Sequence, residues 1–424
     1  MQPIGDVDSL RAVEAVVIAL HGEESLLRAA GFAVALEAQS LLGTLYGRRV
    51  SVIWGPGLNG RDGLLAAKEL ERRGARVRLV NALEAPAHLS GDDLVIDAAF
   101  GVGCSRPYVA PAVDSPVLAV DIPSGVDADS GGLLGEPLRA TRTLALGALK
   151  WAHVDGEGAN YCGEVRVASL GLDFPLRHGL LEENDLEGLA PRESHDHKWR
   201  HAVQVVAGSS AMPGAAELAC RGALAGGASL VLTTPRPPTP ADRLPTEVVR
   251  THRVDPRVRA LVIGPGLGPG SRRWLDDLPI PDHLPVVLDA DGLRRKIIHR
   301  LRHHPLVITP HEGEFTRLTG RPLSPRRIPD VVDLAATLGC VVLLKGPRTV
   351  VADPDGRVRV ITDSSPALAT AGTGDLLAGV IGALLAYGYP PLAAASLGAE
   401  LHGLSGRTWP LASDFLPVLQ RRRG

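Results

Sequence analysis

Residues 369–388 read ATAGTGDLLAGVIGALLAYG, a glycine-rich turn that leads directly into an apolar helical pattern. The backbone N–H groups of Gly372, Thr373 and Gly374 can converge on one point, and the N-terminus of the following helix adds a positive dipole end. This pattern predicts an anion site suited to a phosphate. Asp375 follows, where the dipole favours an ionised carboxylate able to take a proton from a hydroxyl group. The structural alternative is that Asp375 only caps the helix.

Length and composition narrow the class of protein. The chain has 424 residues, enough for two domains, and its formal net charge of -2 argues against nucleic acid or an anionic membrane as a partner. The four cysteines show no metal-ligand spacing, and no apolar run approaches a membrane-spanning length. We therefore expect a cytoplasmic α/β protein that binds small molecules and forms a homo-oligomer.

In the first half, polar residues follow several predicted strands. Residues 50–80 read as strand, glycine-rich turn, helix and strand, with the helix expected from residue 62. Asp97 ends a later strand, and Asp121 and Ser124 follow the next. The carboxyl ends of parallel strands gather at one edge, so we expect these residues to converge with Asn59 of the turn. Their oxygen atoms suit an alkali or alkaline-earth ion, although each residue alone would more often be a turn residue or a cap.

A looser, polar segment separates the halves, and we place the domain boundary at residue 190. His195, His197 and His201 follow this boundary. Because they lack the carboxylate or thiol spacing of a metal site, we interpret them as part of an exposed polar segment.

The second half repeats the α/β pattern. Asp289 and Asp291 follow one predicted strand, His311 follows the next, and a predicted hairpin carries Lys345 at its turn. A doubly wound fold places its ligand site at such strand ends, which here precede the anion site. Taken alone, His311 and Lys345 are as readily explained as ordinary turn residues.

Both halves resemble one known family, the bifunctional NAD(P)H-hydrate repair enzymes. In the second half the matching motifs are Gly214-Ala215, GPGLG at 264–268, LDADGL at 288–293, TPHEGEF at 309–315, LKGPRT at 344–349 and AGTGDLLAG at 371–379. In the first half they are GPGLNGRDG at 55–63, DAAFGVG at 97–103 and VDIPSG at 120–125. The resemblance implies a Rossmann-like three-layer epimerase domain at residues 1–190 and a ribokinase-like dehydratase domain at residues 191–424.

The resemblance also implies an activity. Reduced nicotinamide cofactors hydrate at C6 of the ring into R and S epimers, NADHX and NADPHX. The first domain would interconvert the epimers. The second would dehydrate the S form with ADP, releasing AMP and phosphate, because phosphorylation converts the C6 hydroxyl group into a good leaving group.

Residue roles are implied in the same way. In the dehydratase, Asp375 would be the catalytic base, and Mg²⁺ would accompany the ADP. The nucleotide-binding residues would be Lys345, Gly346, Pro347, Arg348, Thr349, Gly372, Thr373 and Gly374. The hydrated cofactor would contact Ala215, Gly266, His311 and Asp375.

In the epimerase, Asp121 would be the catalytic acid or base. The substrate-binding residues would be Asn59, Gly60, Asp62, Gly101, Val102, Gly103 and Asp121. Asn59, Asp97 and Ser124 correspond to the family's K⁺ ligands.

Two residues depart from the family pattern GPGNNGGDG, namely Leu58 and Arg61. We expect the Arg61 guanidinium to bind the pyrophosphate of the dinucleotide; the alternative is that it obstructs the turn. The alternative that the first domain is a non-catalytic binding module therefore stays open. For the second half, the alternative is a small-molecule kinase of the ribokinase fold.

Overall fold

The computed structural model describes residues 1–191, 193–234, 244–362, 365–406 and 412–416. Contacts between Cα atoms divide the chain into two compact units. We call Gln2–His178 the N-terminal unit, and Gly179–Gly424 with Met1 the C-terminal unit. Both are mixed α/β structures with largely parallel sheets, which confirms the predicted fold class. The functional boundary at residue 190 stays a prediction.

The N-terminal unit is built on a parallel sheet. Its strands are β1 (Gln2–Gly5), β2 (Arg49–Trp54), β3 (Arg76–Asn81), β4 (His88–Leu89), β5 (Leu94–Ala98), β6 (Tyr108–Val109), β7 (Ala112–Val113), β8 (Val117–Val120), β9 (Gly135–Glu136), β10 (Arg142–Leu146), β11 (Leu149–Lys150) and β12 (Glu164–Ala168). Its helices are α1 (Val7–His21), α2 (Glu23–Leu42) and α3 (Leu58–Arg72). The main sheet has the order β12-β10-β8-β5-β2-β3, and all its pairs are parallel.

Burial explains the sequence of this sheet. Every residue of β5 and β8 is buried, as expected for parallel strands covered on both faces. Helices α2 and α3 pack closely against each other, since a Cβ added to Gly31 would lie 2.5 Å from the Cβ of Leu65. Helix α3 begins at Leu58, so the predicted start at residue 62 was wrong by one turn. Asn59, Gly60 and Arg61 therefore belong to the first turn of a helix.

The C-terminal unit contains the longer sheet. Its strands are β13 (Gly179–Leu180), β14 (Ala202–Val206), β15 (Leu230–Thr233), β16 (Val249–Arg250), β17 (Ala260–Ile263), β18 (Val286–Leu288), β19 (Leu306–Ile308), β20 (Val341–Leu344), β21 (Thr349–Ala352) and β22 (Val358–Ile361). Its helices are α4 (Pro213–Ala225), α5 (Arg272–Asp276), α6 (Arg295–Arg300), α7 (Glu312–Thr319), α8 (Arg327–Leu338), α9 (Thr373–Ala386) and α10 (Pro391–Ser405). The order within this unit is β13-β22-β21-β20-β19-β18-β17-β14-β15-β16. Among the described strands of this unit, β21 alone is antiparallel to its neighbours, which confirms the predicted hairpin at Lys345.

Helix α9 is buried along almost its whole length and packs against α4, α10 and the sheet. Two glycines permit this approach. A Cβ on Gly379 would clash with the carbonyl oxygen of Ala219, and one on Gly222 would clash with that of Leu376. The uniform apolar character of α9 thus reflects burial on all sides. Among the described residues, no helix combines the length and the apolar character needed to cross a membrane.

The segment before residue 190 packs within the C-terminal unit. Strand β13 pairs with β22, and the 3₁₀ helix Glu183–Gly188 contacts α10. Leu181, Leu186 and Leu189 are buried in the core of this unit. The structural unit therefore starts before the functional boundary predicted from the sequence.

We predict that a fragment of residues 179–424 resists urea better than one of residues 191–424. The shorter fragment lacks three core leucines, each worth roughly 1.5–3 kcal/mol on burial. Urea unfolding followed by circular dichroism measures the difference in midpoint. The variant Leu186→Ala of the longer fragment should fall between the two, whereas equal midpoints for both fragments would show that the segment adds no stability.

Candidate functional site

The C-terminal unit contains a cavity of about 700 Å³ next to the N-terminus of α9. This size is typical of small-molecule sites. Predicted site residues that line it are His311, Lys345, Gly346, Pro347, Thr349, Thr373 and Gly374. The lining also includes Ser365, Pro366, Leu368, Ala369, Leu377 and His402, which the sequence did not single out. The strand ends thus converge where the doubly wound pattern predicted.

An ion pair lies at the centre of this site. The Lys345 ammonium donates a 2.8 Å hydrogen bond to Asp289 Oδ1, which also accepts a 2.8 Å bond from the Thr309 hydroxyl group. Glu314 Oε2 is 3.9 Å from the same ammonium. Burial alone would lower the pKa of Lys345, but Asp289 and Glu314 outweigh it and raise that pKa. Lys345 is therefore a stable cation at the end of β20, suited to a phosphate group.

Asp375 lies half-buried in the first turn of α9. Burial, and then the charges of Asp289 and Glu314, raise its pKa to about 7, against the opposing effect of Lys345. The helix dipole was expected to keep this carboxylate ionised, whereas its burial favours the protonated form. The N-cap of α9 is Gly372, with no side-chain capping bond, so the capping alternative for Asp375 was wrong. A carboxylate with this pKa can exchange protons near neutral pH.

The turn before α9 depends on its glycines. Gly372 has φ 91°, a left-handed conformation, and an added Cβ would clash with Leu218. A Cβ on Gly374 would lie 3.2 Å from the Lys345 ammonium. Thr373 fixes the turn by donating to the carbonyl oxygens of Leu368 and Thr370, at 2.8 and 3.0 Å. The N–H groups of this first helical turn therefore lie beside the lysine, as an anion site requires.

Five predicted residues are absent from the described lining of this cavity: Ala215, Gly266, Arg348, Gly372 and Asp375. Gly372 and Asp375 adjoin it, because they flank the lining residues Thr373 and Gly374. Gly266 has φ 59°, and a Cβ there would lie 2.5 Å from the Cβ of Ala215, so these two positions adjoin each other. Arg348 lies in the turn between β20 and β21. Their predicted ligand contacts stay predictions.

The N-terminal unit has its own cavity, of about 410 Å³. Predicted residues in its lining are Asn59, Asp62, Gly101, Val102, Gly103 and Asp121. Gly60 lies behind it, and a Cβ there would clash with the carbonyl oxygen of Gly55, so only glycine fits. Arg11, Glu14 and Glu23 add charged groups to the lining. Of the four polar residues expected to converge at this sheet edge, Asn59 and Asp121 line the cavity, whereas Asp97 and Ser124 do not.

Asp97 and Ser124 form a buried pair beside this cavity. The Ser124 hydroxyl group donates to Asp97 Oδ1 at 2.6 Å, and its backbone N–H donates to Oδ2 at 2.8 Å. Burial raises the pKa of Asp97 despite these bonds. Within the described residues, no basic side chain pairs with Asp97, and the buried Asn59 Nδ2 has no hydrogen-bond partner. A desolvated carboxylate among hydroxyl and amide groups fits a hard cation with oxygen ligands.

Asp121 forms an ion pair with Lys150, a lysine buried to 2% exposure. The Lys150 ammonium also donates to the carbonyl oxygens of Leu146 and Ala148, at 2.8 and 3.1 Å. Asp121 has φ 67°, an unusual conformation for a residue other than glycine, and such strain is frequent at functional sites. Burial, followed by Lys150, lowers the pKa of His153 to about 4, so this ring is neutral next to the Asp121 carbonyl oxygen.

Lys150 was missed in the sequence. A lysine within the apolar run LALGALKWAH was the available signal, because a charge there must be buried with a partner.

Asp62 has a raised pKa, a property that the spacing of the sequence could not show. Burial, then Asp121 and Glu14, raise its pKa to about 8, so Asp62 is largely protonated at neutral pH.

Both departures from the family turn are exposed to solvent, and Leu58 also lines the cavity of the N-terminal unit. Leu58 is 53% exposed, and the Arg61 guanidinium forms an ion pair with Glu23 of α2. This geometry neither places Arg61 on a ligand nor shows it obstructing the cavity. Its role stays a prediction.

The histidine segment at the predicted boundary brings Glu193, His195 and Asp196 within 4.8 Å of one another. Asp196, however, already forms an ion pair with Arg200 at 2.9 Å and contacts His201 at 3.1 Å. His195 and His197 are exposed, as the interpretation of a polar surface segment requires. For His201 that interpretation was wrong, because its ring is buried and stacks on Tyr387.

Comparison with known proteins covers both units. The family model of NAD(P)H-hydrate dehydratase matches residues 203–418, and that of the YjeF-related protein N-terminus matches residues 23–92 and 79–152. The bifunctional NAD(P)H-hydrate repair enzyme Nnr of Mycobacterium tuberculosis H37Rv is 37% identical, over 91% of this chain and 89% of the relative. The chain belongs to the family of bifunctional NAD(P)H-hydrate repair enzymes. The resemblance inferred from the motifs is thereby confirmed.

Other members and solved structures agree with this assignment to the NAD(P)H-hydrate repair enzymes. The Nnr of Thermofilum pendens is 33% identical, over 91% of this chain and 87% of its own. The Bacillus subtilis ADP/ATP-dependent NAD(P)H-hydrate dehydratase, co-crystallized with ATP/Mg²⁺, has a TM-score of 0.50 and 30% identity, over 57% of this chain and 96% of that chain. A ribokinase-like superfamily protein of Enterococcus faecalis has a TM-score of 0.52 and 21% identity, over 59% of this chain and 97% of that chain. At this identity it supports the fold alone.

Proposed function

We propose that this NAD(P)H-hydrate repair enzyme restores hydrated nicotinamide cofactors in two reactions. The N-terminal unit epimerises R and S NADHX and NADPHX, and the C-terminal unit dehydrates the S epimer with ADP to give NAD(P)H, AMP and phosphate. One observation carries the proposal. Asp375, with a pKa of about 7, lies at a glycine-lined helix start next to the Lys345–Asp289 pair.

The dehydratase reaction follows from this geometry. Asp375 takes the proton of the C6 hydroxyl group while the oxygen of that hydroxyl group forms a bond to the β-phosphorus of ADP. The bond between the β-phosphorus and the oxygen of AMP breaks, and AMP leaves. The first-turn N–H groups of α9 and the Lys345 ammonium stabilise the charge on the transferred group. Phosphate then leaves C6 with the bonding electrons, and a proton lost from the neighbouring ring carbon restores the double bond.

Mg²⁺ is proposed to accompany the nucleotide, as ATP/Mg²⁺ does in the Bacillus subtilis structure. Asp289 uses Oδ1 for Lys345 and Thr309, and its Oδ2 lies 3.9 Å from the position of a Cβ on Gly374. That oxygen and the carboxylate of Glu314 fit a hard cation. The ion supplies charge neutralisation at the phosphates when bound.

A kinase of the same fold would share the anion site and the base. The alignment with full-length repair enzymes across 91% of the chain favours dehydration, because it includes the N-terminal unit as well. We therefore set the kinase alternative aside.

For the epimerase, we propose that Asp121 and Asp62 move protons at the reacting ring. Inversion at C6 requires that a bond to this carbon break and form again, and both steps move a proton. Asp62, whose pKa is about 8, can donate a proton at neutral pH. Asp121, which forms an ion pair with Lys150, is the proposed proton acceptor. Lys150, being buried, positions Asp121 and does not contact the substrate.

K⁺ is proposed at Asn59, Asp97 and Ser124, where it would balance a buried carboxylate. This assignment is supported by the absence of a basic partner for Asp97 within the described residues. A cytoplasmic location and a homo-oligomeric state also stay predictions.

We predict that Asp375→Asn lowers ADP-dependent recovery of NADH from the S hydrate by roughly 10²–10⁴-fold, because a general base is lost. ADP binding, measured by calorimetry, should persist. In the wild type the rate should rise with pH through about 7, since Asp375 must ionise to act as the base. Glu314→Gln should move this rise to lower pH by removing a charge that raises the pKa of Asp375.

The exposed Asp333→Asn is the matched control and should leave both the rate and its pH dependence unchanged. An Asp375→Asn enzyme that keeps more than a tenth of the wild-type rate would contradict the assignment of the base.

We predict that KCl slows hydrogen exchange in β5 more than LiCl does at the same ionic strength, because K⁺ neutralises Asp97. Asp97→Asn should abolish the difference between the two salts, since the buried charge is gone. Asp114→Asn, a change at an exposed carboxylate, should preserve it. Equal exchange in both salts for the wild type would argue against a K⁺ site.

We predict that Arg61→Gly raises the KM for the R hydrate and makes binding less sensitive to salt, because a guanidinium contact with pyrophosphate is lost. Glu23→Gln should lower the KM by releasing Arg61 from its ion pair. Glu24→Gln, at the exposed Arg28 pair, is the control.

Each epimer is to be assayed separately in the Arg61 series. Faster epimerisation in Arg61→Gly would instead identify the arginine as an obstruction. If Asp121→Ala epimerises as fast as the wild type, the N-terminal unit is a non-catalytic binding module.

A further inference from the structure

The C-terminal unit has a further cavity, of about 260 Å³, whose lining is strongly basic. It lies between the loop that follows β17 and helix α7. Its charged lining residues are Arg272, Arg294, Arg295, Arg317 and Asp291. Four arginines around one carboxylate leave a net positive charge in a concave surface, which concentrates anions.

Most of this charge is not balanced by nearby acids. Arg294 pairs with Asp276 at 3.0 Å. Within the described residues, Arg272, Arg295 and Arg317 form no ion pair with a carboxylate. The Arg295 Nε donates to the carbonyl oxygen of Leu318 at 2.7 Å, and Arg317 Nη2 donates to that of Ala290 at 3.2 Å, so backbone contacts orient both guanidinium groups without neutralising them.

The single carboxylate of the cavity lining, that of Asp291, is hydrogen-bonded to the loop that follows β17. Asp291 Oδ2 accepts a 2.8 Å hydrogen bond from the backbone N–H of Gly268. This loop bends through three left-handed glycines, Gly264, Gly266 and Gly268, with φ values of 127°, 59° and 74°. The bend brings Gly268 into the cavity two residues after Gly266, a predicted contact of the hydrated cofactor.

Two further elements connect the basic cavity to the dehydratase site. Asp291 follows Asp289, the partner of Lys345, by two residues. Helix α7 begins after His311, which lines the nucleotide cavity, and Arg317 is six residues further along, about 9 Å at the rise of an α-helix. An extended dinucleotide that reaches the proposed catalytic site can therefore extend its charged portion towards these arginines.

We propose that this cavity binds a phosphate group of the dinucleotide substrate, with Arg272 and Arg317 as specificity-determining residues. The inference rests on the proposed dehydratase function. Guanidinium groups bind phosphate oxygens through paired, charge-assisted hydrogen bonds. Two phosphate sources share this chemistry: the 2′-phosphate, present only in NADPHX, and the diphosphate, present in NADPHX and NADHX. Arginine is a known partner of the 2′-phosphate in dinucleotide sites.

The test uses the full chain with Arg272→Ala, Arg317→Ala and the double variant. Arg273→Ala removes the same charge from the neighbouring position of α5, which does not line the cavity, and is the matched control. Dehydration of S-NADHX and S-NADPHX is measured separately, with binding of NAD⁺ and NADP⁺ by calorimetry at fixed ionic strength. Each alanine variant should raise KM or Kd by about tenfold or more, while kcat changes little.

The pattern of losses identifies the phosphate. A loss confined to NADPHX and NADP⁺ supports the 2′-phosphate, and an equal loss for all four ligands supports the diphosphate. Unchanged affinities in the double variant, or an equal loss in Arg273→Ala, would overturn the proposal. Arg272→Lys and Arg317→Lys keep the charge but not the planar fork, so they should give intermediate losses in a folded protein.

Failure of the proposed function is distinguishable from failure of this inference. If the wild type dehydrates neither S epimer, the dehydratase assignment is wrong. Binding of NADP⁺ and NAD⁺ to the same variants still decides whether the basic cavity takes a phosphate group.

Discussion

The hydrogen bond from Lys345 to Asp289, at 2.8 Å, holds the C-terminal site together. It joins the end of β20 to the end of β18, and Thr309 at the end of β19 donates to the same carboxylate oxygen. The lysine also lies against Gly374, since a Cβ at that position would be 3.2 Å from the ammonium, so a glycine lets the first turn of α9 approach closely. Without the lysine, Asp289, Glu314 and Asp375 would be three carboxylates at one strand edge, and their repulsion would raise the pKa of Asp375 further.

The N-terminal unit also places a lysine among clustered carboxylates, but with a different geometry. Lys150 pairs with Asp121, and a neighbouring acid, Asp62, has a raised pKa, just as Asp375 does beside Lys345. The exposure of the two lysine side chains differs, however, at 2% for Lys150 and 21% for Lys345. Only Lys345 can therefore reach a ligand. Lys150 donates its hydrogen bonds to Asp121 and to two carbonyl oxygens, and so holds the Asp121 side chain in position.

The sequence predicted those features that depend on neighbouring residues. The hairpin at Lys345 and the glycine turn before Asp375 each lie within one short segment whose pattern is local. The Lys150–Asp121 pair could not be predicted this way, because it depends on how separate strands are placed in the sheet. The pKa of Asp375 depends likewise on Asp289 and Glu314, from other strand ends. The start of helix α3 was predicted one turn too late, because the glycines of this segment were interpreted as a loop. Gly60 is instead part of the helix, where it permits a close contact with the backbone of Gly55.

Asp97 shows why one of these buried acids differs from the others. Taking a carboxylate out of water costs several kcal/mol, and both Asp121 and Asp289 offset this cost with a lysine. Asp97 receives only hydroxyl and backbone N–H bonds within the described residues, although it is fully buried. A lysine that reached it from the side of Ala99 and Phe100, which line the cavity, would occupy volume where the substrate is proposed to bind. A bound K⁺, as proposed, neutralises the charge without a side chain, and so leaves that volume to the hydrated ring.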